Sequence, residues 1–354
     1  MKILINALSG IGDALMFSPS LRLLKEKLPH SRIDMLVMFK SVKEMYESSP
    51  FLDNVYLIDF LRQSKLKSFK EIRSLKKNDY DISINVYPAN RFEYNIVNAF
   101  LGAKKKISHH YQHTNFFRAE FLNDILIDEV KNRHNVLQNA DIIKRIINIR
   151  DDDAGKMEIF TDNIHEEKAE EWIKSVNPLN KPVIGFHPGS ALLKNHIQKR
   201  WDKNKFAELG KLIVRDFNAV ILLFGNETEL NKEIKNNIGE NSFLASTPDF
   251  MDSVSRMKHC NVFVSNDTAF LHCAAALQIP TAAIFAYTNH KELFPWKTQH
   301  IIIRKELDCS PCFYNSPKPA TCIFNEPDNF KCMKTIEVNE VMSAVKSLLP
   351  KVSL

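Results

Sequence analysis

Residues 262–287 constrain the fold of this chain more than any other stretch. The apolar run Val262-Phe-Val264 reads as a strand, and Ser265-Asn-Asp-Thr268 supplies helix-capping side chains. The alanine-rich segment to Leu277 then reads as a short helix, Pro280 stops it, and Thr281–Tyr287 returns to a buried strand. A strand feeding a helix start leaves unpaired backbone N–H groups and the positive dipole end at the carboxyl edge of a sheet. That setting favours an anion. With Asp267 and His272 about one turn apart, the segment suits a phosphate-bearing ligand. The plainer alternative is a βαβ crossover in which Asp267 only caps its helix.

The same alternation recurs along the chain. Lys2–Leu8, Ile33–Met38, Val55–Ile58, Ile82–Val86 and Lys106–Ser108 are buried-strand candidates with helical patterns between them. One helix spans Phe17–Leu28, with Ser18 as cap and Pro19 in its first position. After a helix over 165–176, Asn177-Pro-Leu-Asn-Lys-Pro182 reads as a linker. A second series follows: strands at 183–186, 219–224 and 242–245, and helices at 203–215, 228–237 and 251–258. Strands alternating with helices predict parallel, doubly wound sheets. The length of 354 residues predicts two domains, placed at 1–176 and 177–335, with a closing helix within 336–354.

Charge is unevenly shared. Residues 1–150 carry 24 Lys and Arg against 16 Asp and Glu, a net +8, which favours an anionic partner for the amino-terminal half. The stretch Lys104–Lys106, His109, His110, His113 and Arg118 belongs to no recognised nucleic-acid module, so phosphorylated or carboxylated sugars are the expected ligands and nucleic acid is not. Gly10, Gly12 and Asp13 interrupt the first apolar run, so no signal peptide is expected, and no run approaches a transmembrane length. Six cysteines without an export signal point to a reducing cytoplasm.

Four loops at expected strand ends carry chemistry. Ser9-Gly-Ile-Gly-Asp-Ala-Leu15 has Leu15 where a dinucleotide fingerprint needs glycine, and Asp13 would repel a pyrophosphate. A carboxylate at this edge fits a general base, or simply a helix-entry residue. His187-Pro-Gly-Ser190 offers small residues for close phosphate approach and leads to Lys199-Arg-Trp201, whose cations can neutralise a leaving group. Phe224-Gly-Asn-Glu227 ends the next strand with a carboxylate placed to accept from ribose hydroxyls. The Ser265–Thr268 turn is the fourth. Asp79-Tyr-Asp81 and Asp151-Asp-Asp153 contain D-x-D but fall away from these loops.

Taken in order, Gly12-Asp-Ala-Leu15, Pro19-Ser-Leu-Arg22, His134-Asn-Val-Leu-Gln-Asn139, His187-Pro-Gly-Ser190, Lys199-Arg-Trp201, Phe224-Gly-Asn-Glu227 and Ser265-Asn-Asp-Thr-Ala-Phe-Leu-His272 resemble glycosyltransferase family 9, the inverting ADP-heptose:lipopolysaccharide heptosyltransferases. The resemblance covers nearly the whole chain. It implies a GT-B arrangement, two facing Rossmann-like domains with parallel sheets and a cleft between them. It implies transfer of a sugar, a heptose, from a nucleotide diphosphate donor such as ADP-heptose to an anionic glycan or glycolipid such as the lipopolysaccharide inner core. Asp13 would be the general base. Lys199 would meet the donor phosphates and Glu227 the ribose. Asp267, Thr268 and His272 would line the diphosphate and sugar, with His187, Gly189, Ser190 and Ala269 completing the donor side. Ala269 stands where the family usually has glycine. Gly12, Arg91, His110 and Arg118 are the acceptor-side candidates.

Cys309, Cys312, Cys322 and Cys332 cluster among four prolines. They read either as a tetrathiolate metal site or as reduced thiols packing a loop. The cluster resembles the four-cysteine iron site of autotransporter heptosyltransferases, which implies a structural zinc or iron. Transfer itself is expected to need no cofactor. The expected location is cytoplasmic, with peripheral association at the inner face of the inner membrane. A protein acceptor, a nucleotide-sugar hydrolase or epimerase, and a non-catalytic nucleotide-sugar-binding protein are the alternatives on the same architecture.

Overall fold

The computed structural model describes residues 1–112, 117–314 and 318–349; His113 lies outside them. Two compact units divide at Phe160/Thr161. In the first, β1 (Lys2–Ala7), β2 (Arg32–Val37), β3 (Asn54–Leu57), β4 (Ile82–Asn85), β5 (Lys105–His110) and β6 (Ile125–Asp128) form one sheet ordered β3-β2-β1-β4-β5-β6, every pairing parallel. In the second, β7 (Val183–His187), β8 (Val220–Leu223), β9 (Ser242–Leu244), β10 (Val262–Asn266), β11 (Thr281–Ile284) and β12 (His300–Ile303) are ordered β12-β11-β10-β7-β8-β9, again all parallel. Each unit thus has the doubly wound order, which reverses at β1/β4 and at β7/β10. Ligands of such sheets bind beyond the carboxyl edge at that reversal.

The helices of the first unit are α1 (Ile11–Leu15), α2 (Ser18–Lys27), α3 (Lys40–Glu47), α4 (Lys65–Lys76), α5 (Phe92–Leu101) and α6 (Asn135–Ile143). Leu4, Leu36, Ile72, Leu75 and Leu101 bury the sheet face beneath α4 and α5. A buried amide seam also fixes α5. Asn6 Nδ2 donates to Asn98 Oδ1 at 2.9 Å, Asn85 Nδ2 to Asn95 Oδ1 at 3.0 Å, and Asn98 Nδ2 to Asn123 Oδ1 at 2.8 Å. Burying so many amides is tolerable because their Nδ2 groups donate to one another's oxygens. Ser18 does not act as the expected cap; it lies inside α2 and accepts from the Glu158 N–H at 3.0 Å.

The second unit contains α7 (Asn163–Val176), α8 (Lys203–Phe217), α9 (Thr228–Ile238), α10 (Phe250–Met257), α11 (Ala269–Ala276), α12 (His290–Leu293), α13 (Lys331–Lys334) and α14 (Val338–Leu348). The division falls before α7 rather than at the expected linker because α7 packs on α10, with Arg256 4.2 Å above the Trp172 ring. The closing helix α14 is not a separate element. Val341, Val345 and Leu348 join the core of Ile184, Phe186, Ile221 and Val264. No helix among the described residues is long and apolar enough to cross a membrane.

Candidate functional site

At the first reversal, Gly10 enters α1 in an extended conformation and Asp13 falls in its first turn, while Ala14 and Leu15 are buried. Tyr46 anchors this turn by donating to the Ala14 carbonyl at 2.7 Å. Ser9 Oγ donates to the Pro88 carbonyl at 2.9 Å, joining the loops after β1 and β4. Arg91 is the N-cap of α5. Tyr94, one turn on, shares a neighbourhood with Asp13, Arg91 and Ser9. Burial raises its phenol, the Arg91 charge and a Ser9 hydrogen bond oppose this, and the Asp13 charge adds to it. The expected base and one acceptor-side cation therefore sit at the same edge, with Gly12 in the same turn.

His110 and Arg118 lie together at the end of β5 but are committed to each other's neighbours. Glu120 takes His110 Nδ1 at 2.6 Å and the Arg118 guanidinium at 3.2 Å, and Arg118 also donates to the Tyr111 carbonyl at 3.1 Å. Arg118 is buried, so its guanidinium organises this turn.

At the second reversal the donor candidates converge. Lys199 Nζ donates to Asp267 Oδ2 at 3.0 Å, both side chains nearly buried. Burial would raise the Asp267 carboxyl, but Lys199, His272 and a Thr288 hydroxyl outweigh it and hold the group below the ordinary carboxylate range. Thr268 is the N-cap of α11 and Ala269 its first residue, so the first-turn amides emerge here. Thr268 Oγ1 is 2.9 Å from His187 Nδ1, and the His187 ring stacks on Phe270 at 4.6 Å. Burial, then Arg200 and Lys199, push His187 down to about 3; burial pushes His272 down to about 4. Both are neutral at pH 7.

Glu227 is held by the loop after β7. Its Oε1 accepts from the Ser190 N–H at 2.9 Å and from Arg200 at 3.2 Å. A side chain at position 189 would place Cβ 2.3 Å from this carboxylate, so Gly189 is what admits it. Three residues not named among the expected site residues complete the frame. Arg200 clasps Ser190 as well as Glu227. Asn266 Nδ2 donates to the Pro188 carbonyl at 2.9 Å while its Oδ1 accepts from the Trp201 N–H at 3.1 Å, fastening both loops to β10. His196 Nδ1 is 3.1 Å from the Tyr287 hydroxyl. In the sequence Arg200 reads as a cation for a leaving group and Asn266 as a helix-capping side chain, and nothing there signals His196.

Cys309, Cys312, Cys322 and Cys332 line one small cavity together with Tyr287 and Phe330. Burial and the neighbouring thiols raise Cys332 to about 11 and also raise Cys312. A thiophilic cation is the species that would relieve these two sulfurs. Among the described residues, the group of His, Cys, Asp or Glu whose ligand atoms approach within 4.8 Å of one another is instead His165, Asp249 and Asp252, where the imidazole serves as an ion-pair bridge between α7 and α10. The cysteine loop also supports the donor loops. The Ala320 N–H donates to the Lys194 carbonyl, Asn195 Nδ2 donates to the Ala320 carbonyl, each at 2.9 Å, and Phe313 packs on His196. The D-x-D pairs are structural: Asp151 is held by Arg133 and Lys144, and Asp81 by Lys2 and Lys104.

The profile of glycosyltransferase family 9 (heptosyltransferase) matches residues 68–321. Lipooligosaccharide heptosyltransferase 2 of Campylobacter jejuni is 25% identical over 99% of this chain and 98% of that protein. The solved family 9 glycosyltransferase of Veillonella parvula superposes with a TM-score of 0.80 at 18% identity, covering 98% of this chain and 96% of that one. The ADP-heptose lps heptosyltransferase II of E. coli gives 0.74 at 18% identity, covering 98% of each. With its two parallel α/β units, the chain has the expected GT-B fold class.

Proposed function

The chain belongs to glycosyltransferase family 9, the heptosyltransferases, and on that premise we propose that it transfers heptose from ADP-heptose to the inner core of a lipopolysaccharide-type glycolipid, with inversion at the anomeric carbon. The observation that carries this reading is the second-unit arrangement at the sheet reversal. A buried lysine held by Asp267 sits beside the start of α11, and Glu227 is fixed beside the loop after β7. That arrangement supports binding of a diphosphate and a ribose. The names of two similar proteins, a lipooligosaccharide heptosyltransferase and an ADP-heptose lps heptosyltransferase, support the choice of donor and acceptor class.

In this mechanism the Asp13 carboxylate takes the proton of an acceptor hydroxyl as that oxygen forms a bond to the anomeric carbon. The bond from that carbon to the diphosphate oxygen breaks on the opposite face, and ADP leaves with the electron pair. Lys199 has three N–H groups, and Asp267 engages one, leaving donors for the developing phosphate charge. The helix start at Thr268 and Ala269 adds backbone amides. Neutral His187 and His272 can accept or donate without adding charge.

No metal takes part in these steps. We propose that the four cysteines, which line one cavity, hold one structural zinc or iron ion; four thiolates on one ion would leave no position for substrate. The test of function is incubation with ADP-heptose and a heptose-deficient lipopolysaccharide core, following ADP release and the anomeric configuration of the product. Release requiring both substrates, with an inverted product, is expected. Release from the donor alone would identify a hydrolase, and no turnover with any acceptor would overturn the assignment.

A further inference from the structure

The first unit carries an apolar surface that the catalytic reading does not use. On α5, Phe92, Ile96 and Phe100 recur four apart and so share one side of the helix. Phe92 and Phe100 are 42% and 52% exposed. The rings beside them are more open still: Phe117 is 71% and Phe121 73% exposed. Phe92 packs on Phe117 at 5.6 Å and Phe117 on Phe121 at 6.2 Å. At the far end of α5, Phe100 meets exposed Phe69 of α4 at 5.8 Å. An exposed aromatic run of this extent marks an interaction surface.

The charge beside it identifies the partner. Residues 65–77 hold six Lys and Arg against the single acid Glu71, which is occupied by Gln63 at 2.7 Å. Lys65 and Arg73 lie one turn either side of Phe69, and the Lys76 stem lies over Gly102 at the end of α5. Aromatic side chains bordered by lysine and arginine on a helical surface match the boundary between headgroups and acyl chains of an anionic bilayer. The strip starts at Phe92, next to Arg91 and the loop after β4, and runs away from the reversal of the sheet.

We propose that the outer face of α4 and α5, with Phe117 and Phe121, docks this protein on an anionic phospholipid surface. A glycolipid acceptor, which rests on the functional reading above, would then be met where its lipid resides. The geometry of the surface does not depend on that reading.

The experiment is co-sedimentation of the full chain with vesicles of phosphatidylcholine alone or with about 30% phosphatidylglycerol, with no glycolipid and no nucleotide sugar present. Failure here therefore says nothing about transfer, and failure of transfer says nothing about docking. Binding to the anionic vesicles, at least about tenfold tighter than to the neutral ones and weakened by salt, is expected. A triple Phe100→Ser, Phe117→Ser, Phe121→Ser variant and a triple Lys65→Glu, Lys70→Glu, Arg73→Glu variant should each lose about tenfold or more, since each surface cation near such a membrane is worth roughly fivefold. Wild-type circular dichroism spectra and thermal midpoints for both variants would show them folded. Absence of wild-type binding to the anionic vesicles, or equal binding by both variants, would overturn the proposal. So would a wild-type dimer that the serine variant dissolves without any vesicle binding, which would assign the face to a second copy.

Discussion

Lys199 and Asp267 form a 3.0 Å ion pair in which neither side chain has more than 11% of its surface exposed. Each needs the other. An uncompensated ammonium at this depth is costly, and removing one partner of a buried pair commonly costs about 3–5 kcal/mol. Asp267→Ala should therefore lower the urea midpoint substantially with an unchanged slope, whereas a surface change such as Glu229→Ala should leave it where it is. A wild-type midpoint for Asp267→Ala would mean that the pair is not buried in solution.

Asp13→Ala should slow transfer by about 10²–10⁴ while ADP binds as before, because general-base removal acts on the acceptor step alone. Steady-state rates at saturating substrates and an ADP titration on the same sample decide it. A variant with wild-type turnover would remove Asp13 from the mechanism.

Much of this was legible in the residues, for identifiable reasons. Continuous apolar runs marked the inner strands because parallel sheets are covered on both faces. The edge strands β6 and β12 escaped notice: each is four residues long, and Ile125, Leu126, His300, Ile301 and Ile302 are incompletely buried. The motif loops were visible because small and capping residues follow those runs. Asn266 was not, since its partners are backbone atoms of Pro188 and Trp201, some 65–78 positions away. Arg118 read as a ligand for an anion because its charge is evident in the sequence and its burial against Tyr111 and Glu120 is not. The seam of Asn6, Asn85, Asn95 and Asn98 was hidden for the same reason: asparagine usually signals a turn, and only the packed sheet shows these paired.

Acid should destabilise the fold from near neutrality downward. Burial depresses His187 to about 3, and His109 and His272 to about 4, against 6.5 for an open imidazole. Between those values the unfolded chain binds protons that the native chain does not, so stability present above pH 6.5 is lost as the pH falls toward 4. Each histidine contributes a slope of about 1.4 kcal/mol per pH unit in that window. Thermal midpoints measured from pH 7.5 to 4.5 should fall, and His109→Gln should flatten the curve by one histidine's share. A midpoint constant across the window would contradict the buried, neutral state of these rings.

Elemental analysis of protein purified without chelator should find about one zinc or iron per chain. Cys312→Ser should lower that stoichiometry and the thermal midpoint together, and loosen ADP binding as well, because the same loop braces Lys194 and Asn195 through Ala320. Metal-free protein of full stability would leave the four thiols as packing groups.

The central claim is that the reversal between β7 and β10 holds the diphosphate of the donor, and calorimetric titration of ADP tests it most directly. Lys199→Ala removes a charge-assisted contact that commonly contributes about 1.5–3 kcal/mol, so the dissociation constant should rise by tenfold or more while the variant retains the wild-type circular dichroism spectrum. A folded Lys199→Ala protein that binds ADP with the wild-type dissociation constant would contradict the placement of the donor at this site.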